Sequence, residues 1–118
     1  MNLVLVGRFK HARDAEQVES LIGKLSAQAQ KDETYSVSHG EPDEQRFTGE
    51  MLKLLRELNV YSLAPGEIEQ FASDHSLERD EDKITIKTDE ADVSAFIKLF
   101  VEAGGRVEVF SAHHHDGE

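Results

Sequence analysis

Residues Ile84 to Phe110 constrain this chain more than any other stretch. There ITIKT, an amphipathic helix and RVEVFS form a strand–helix–strand unit whose apolar residues share one side. Ile84 and Ile86 alternate with Thr85 and Lys87, the pattern of a strand with one solvated face. Asp89 is placed to cap the helix, and Glu90 and Asp92 put negative charge at the positive end of its dipole. Val93, Phe96, Ile97, Phe100 and Val101 make its core stripe, Gly104-Gly105 gives a left-handed exit, and Val107 and Val109 begin the closing strand. Such a unit must lay its helix against the sheet it completes, so the expected class is α+β.

The remainder fits the same plan. Leu3 to Val6 is an unbroken apolar run ended by Gly7 and reads as a buried central strand. Asp14 and Gln17 form a capping-box pattern ahead of Val18, Leu21, Ile22, Leu25 and Ala29, a helical stripe. Tyr35, Val37 and His39 alternate with Ser36 and Ser38, which predicts a short edge strand, and residues 39–45 (HGEPDEQ) read as a loop. Thr48 caps a second helix bearing Met51, Leu52, Leu54, Leu55 and Leu58, and Asn59 suits its end. Pro65 opens a third helix with Ile68, Phe71 and Ala72 inward, and residues 77–83 (LERDEDK) read as a charged turn.

These elements predict a two-layer sandwich with helices on one face of a mostly antiparallel sheet of three or four strands. A ferredoxin-like arrangement, elaborated by the middle helix pair, describes it. Residues 1–111 form one domain and residues 112–118 a polar, histidine-rich tail. Thr85, Lys87, Arg106 and Glu108 are expected on the exposed sheet face, which with the edge strands leaves a route to a homodimer.

Charge narrows the functional classes. The chain has 13 Lys and Arg against 24 Asp and Glu, a net charge of −11. Residues 1–59 carry 8 basic and 10 acidic side chains, residues 60–118 carry 5 and 14, so the halves stand at −2 and −9. That balance opposes nucleic-acid binding through phosphates and favours solubility, a basic protein partner or a high-salt cytoplasm. The absence of cysteine removes disulfides, thiolate nucleophiles and cysteine-ligated metal from consideration. No apolar run reaches the roughly 18 residues of a membrane span. Met1 leads directly into NLVLV without the basic start of a secretion signal, so a soluble cytoplasmic protein is expected.

Two clusters invite chemistry. Arg8, Lys10, His11 and Arg13 gather in the segment leading from the first strand into a helix N-terminus, where an anion can be held. The segment lacks the further glycines of a dinucleotide loop and the Gly-Lys-Ser/Thr of a phosphate loop, and it reads equally as a solvated turn. His113, His114, His115 and Asp116 offer ligands for a divalent transition metal. Neighbours in an extended tail point alternately, so the competing reading is an unstructured tail or tag. His11, His39 and His75 are otherwise dispersed, and Ser38, His39 and Asp43 lack a nucleophile elbow. No catalytic or cofactor motif stands out, which favours a non-enzymatic protein-binding or regulatory module over metal or anion binding.

MNLVLVGRFK and VSAFIKLFVEAGGRVEVFSAHH resemble a family of small microbial proteins of about this length, known as a domain of unknown function. The resemblance covers most of the chain and rests on strand, helix and strand motifs. It implies a shared fold and attaches no activity.

Overall fold

The computed structural model describes residues 2–39 and 47–111. Within them run β1 (Asn2–Arg8), α1 (Ala12–His39), α2 (Gly49–Glu57), α3 (Pro65–Ala72), β2 (Ser76–Asp80), β3 (Lys83–Asp89), α4 (Ser94–Glu102) and β4 (Arg106–Ser111). All strand pairs are antiparallel, in the order β2-β3-β1-β4. The helices pack against one face of this four-stranded open sheet, which makes the fold α+β. Among the described residues, no helix is long and apolar enough to cross a membrane.

β1 lies between β3 and β4, as its apolar run requires. Its residues alternate between the two faces. Leu5 joins the core with Ile84 and Ile86, while Val4 and Val6 are buried on the opposite side. Gly7 also faces the helices. A Cβ there would lie 2.7 Å from Cδ2 of Phe100, so its absence lets the ring rest on the sheet. Phe100 meets Phe9 edge to face with centroids 5.6 Å apart. Gly105 serves the same pair, since a Cβ there would stand 2.7 Å from Phe9 Cε1.

The helix ends follow local chemistry. Thr48 Oγ1 accepts the Met51 N–H at 3.1 Å, and Pro65 opens α3. At the end of α4, Gly104 takes φ +80, the Gly104 N–H donates to Val101 O and the Gly105 N–H to Phe100 O. Asn59, at φ 58, ends α2 in the same way, with the Asn59 N–H on Arg56 O and the Val60 N–H on Leu55 O. Both are the doubly bonded left-handed exit that satisfies orphan carbonyls.

Three local expectations change. The edge strand read at Tyr35 to His39 is helical backbone, the end of α1. Five alternating residues carry little pairing information, whereas an established helix gains a hydrogen bond for each residue added. The fourth strand instead occupies Ser76–Asp80, overlapping the segment read as a charged turn. Only Leu77 marks its inner side as apolar. Arg79 follows it inward, donating from Nε to Glu19 Oε1 of α1 at 2.9 Å. Glu81 and Asp82 alone link β2 to β3, with Glu81 at φ 55, the left-handed geometry that two-residue hairpins favour. Finally, Asp89 caps a 3-10 turn (Glu90–Asp92) by accepting the Ala91 N–H, and α4 proper starts at Ser94. Its buried stripe is Ala95, Phe96, Leu99 and Phe100, which leaves Val101 exposed.

Candidate functional site

The cations expected to act together before α1 are divided by the fold. Arg8 is the last residue of β1 and belongs to the sheet face away from the helices, where its Nε donates to Glu108 Oε1 at 3.0 Å. Phe9 turns inward to the core, its N–H donating to Asp82 O at 2.8 Å. Lys10, His11 and Arg13 follow it, exposed, in the connection and first turn of α1. The His11 carbonyl accepts the Asp14 N–H at 3.0 Å.

Register gives Arg8 different companions. It stands opposite Lys83 of β3 on one side and Arg106 of β4 on the other. Asp80 of β2, opposite Lys83, ends the row. The next row on the same face is Glu78, Thr85, Val6 and Glu108, and the one after it Ser76, Lys87, Val4 and Phe110. Thr85, Lys87, Arg106 and Glu108 thus share the face expected of them. Directly opposed residues have Cα atoms about 4.5–5.5 Å apart, so three cations stand side by side across about 10 Å of sheet. The sequence separates Arg8 from Lys83 and Arg106 by most of the chain, and only strand order joins them.

A second polar cluster, unmarked in the sequence, ties α3 to α4. Glu67 accepts the Ala64 N–H at 2.9 Å, the Ser94 hydroxyl at 2.8 Å and Lys98 Nζ at 2.5 Å. Lys98 also donates to Ser62 O at 3.1 Å. Gln70 Oε1 accepts the Ala95 N–H at 2.8 Å, and its Nε2 donates to Ser94 Oγ. Burial acts to raise the Glu67 pKa, but these hydrogen bonds and the Lys98 charge outweigh it and hold the carboxyl below the usual Glu value. A carboxylate stabilised in this way is a poor base for Ser94. The Ala95 N–H, which could have faced a developing oxyanion, is occupied by Gln70. The cluster is a clip that satisfies the first turn of α4 from α3.

The remaining candidates are simpler. His75 is half-buried, with Nδ1 2.8 Å from Ser73 O and its ring 5.0 Å from that of Phe96. Glu16, Gln17, Ser20, Leu21, Lys24 and Leu58 line a shallow groove of about 370 Å³ on α1 and the end of α2. Among the described residues, no three His, Asp or Glu side chains converge as a metal site needs. His113, His114, His115 and Asp116, the metal ligands suggested by sequence, lie outside the described residues, as does Asp43.

Fold and surface together define an acidic α+β protein with an antiparallel sheet covered by helices on one face. The chain belongs to the family of unknown function DUF6375, whose model matches residues 1–118. No curated protein and no solved structure matches it.

Proposed function

We propose that this protein is a non-enzymatic interaction module that receives a protein partner along the outer edge of β4. One observation carries the reading. Among the described residues β4 closes the sheet order and is bordered on one side only, and Val109 and Phe110 on it are exposed. Val109 is 50% exposed, Phe110 39% and Val101 of the adjoining α4 59%, three of the five large apolar residues exposed on the described surface. An open edge accepts a further strand through main-chain hydrogen bonds, while alternate side chains provide selectivity. Natural sheets usually blunt such edges, so an apolar one is a contact surface.

Charge selects the partner. β4 belongs to the half of the chain with 14 acidic and 5 basic residues, and Glu102 and Glu108 are exposed beside the edge. A basic extended segment is drawn to this side. A second copy would bring another −11 and meet repulsion. The test compares immobilised wild-type chain with a Val101→Ser/Val109→Ser variant in capture from the native host, with sedimentation velocity on the free proteins. A basic protein held by the wild type and lost by the variant supports the reading. No captured protein, or capture indifferent to the substitutions, refutes it. A concentration-dependent dimer lost in the variant would replace the basic partner with a second copy.

A further inference from the structure

The row formed by Lys83, Arg8 and Arg106 points to a second kind of site, on the sheet face rather than along the outer edge of β4. We infer that these three side chains form a binding site for a diphosphate group on the sheet face away from the helices.

The argument begins with an electrostatic conflict. Like charges placed directly opposite one another on neighbouring strands destabilise a sheet. Here two such pairs are adjacent, Lys83 with Arg8 and Arg8 with Arg106. The chain has 24 acidic residues that could have occupied any of these positions. Elsewhere Arg79 is matched with Glu19 and Lys98 with Glu67. In the row, Arg8 has Glu108, while no ion pair joins Lys83 or Arg106 to another described residue. Asp80 ends the row and Glu78 and Glu108 both stand in the next one, so the cations outnumber the carboxylates only along the row itself.

An anion laid across the row converts the repulsion into attraction. Two arginines offer planar forks suited to phosphate oxygens, and the lysine adds a mobile point charge. The site spans two strand spacings, about 10 Å between the outer Cα atoms. A single phosphate reaches two of the three cations. Two linked phosphates engage all three. The surrounding acidic surface repels anions elsewhere, which confines binding to this place.

Calorimetric titration of the full chain with inorganic pyrophosphate tests the assignment, with orthophosphate and adenosine diphosphate in parallel. Saturable binding is expected, tighter for pyrophosphate than for orthophosphate and weakened by added salt. Lys83→Met and Arg106→Met should each weaken it about tenfold, the loss of one charge-assisted contact. Glu108→Gln, which releases Arg8, should tighten it, an effect a purely structural role would not produce. Lys10→Met should leave it unchanged. Since the substitutions in the row relieve like-charge repulsion, both variants should melt no lower than the wild type, which separates lost binding from lost folding. Equal affinity for adenosine diphosphate would identify the free diphosphate as the group read, and tighter binding a diphosphate carried on a larger molecule. Absence of saturable pyrophosphate binding, or affinity indifferent to Lys83→Met and Arg106→Met, overturns the proposal.

Discussion

Gly7→Ala offers the sharpest test of how this sheet meets its helices. A Cβ at Gly7 would lie 2.7, 2.9 and 3.1 Å from Cδ2, Cε2 and Cγ of Phe100. Real Cβ atoms do not approach a ring so closely, and this ring has nowhere to go. Phe100 is fully buried, stacks edge-on against Phe9, and its own carbonyl accepts the Gly105 N–H. Inserting a methyl into such packing costs about 1–3 kcal/mol. Replacing glycine restricts the unfolded chain and returns about 0.4–1 kcal/mol. The net expectation is a loss of about 1–2 kcal/mol, or roughly 3–10 °C in melting temperature for a domain of this size.

Urea denaturation followed by circular dichroism measures the loss, and two further variants make it specific. Gly23→Ala, in α1 with open space around its Cβ position, should instead stabilise by about 0.5–1 kcal/mol. Phe100→Leu alone opens a cavity and destabilises, but combined with Gly7→Ala it removes the clash. The double variant should therefore be about 1 kcal/mol more stable than the summed single losses. If Gly7→Ala is harmless, or its loss simply adds to that of Phe100→Leu, the glycine is not there to admit the ring.

Two other substitutions follow from polar groups shielded from solvent to different degrees, Glu67 partly and Thr88 fully. Glu67 has a folded pKa below the ordinary 4.5, so its stabilising contribution is complete above that value and disappears as pH falls through the lower folded one. Glu67→Gln should lose about 1–2 kcal/mol near neutral pH and flatten the acid limb of stability against pH; an unchanged limb would remove Glu67 from the clip's energetics. The Thr88 hydroxyl is buried and finds no hydrogen-bond partner among the described residues. Thr88→Val keeps the shape and removes the stranded group, so denaturation should show a gain of about 1 kcal/mol, whereas a loss would mean that the hydroxyl has an unrecognised partner.

Much of the fold is legible in the chain because its signals are local. The run Leu3 to Val6, the period of Val18, Ile22 and Leu25, Thr48 as a cap, and Asn59 and Gly104 as exits each act within a few residues. β2 escaped notice because Arg79, one of its inward residues, is satisfied by Glu19, which lies 60 positions earlier. Val101 reads as core because a stripe one residue too wide looks the same in sequence; the orientation of α4 on the sheet decides which side is buried. The Glu67–Ser94–Gln70 clip left no trace either, since its members are ordinary polar residues until two helices are placed side by side.

Read alone, the sequence settles the class of the fold, the central place of β1, the cap and exit chemistry, and a net acidic composition. Each of these follows from periodicity, backbone preference or summed charge, which are properties of neighbouring residues or of composition. Tertiary structure alone decided which cations stand together. Arg8 is next to Lys10 and His11 along the chain, yet the alternation of side chains and the order β2-β3-β1-β4 place it beside Lys83 and Arg106. Strand register couples residues far apart in sequence, and no local pattern encodes it.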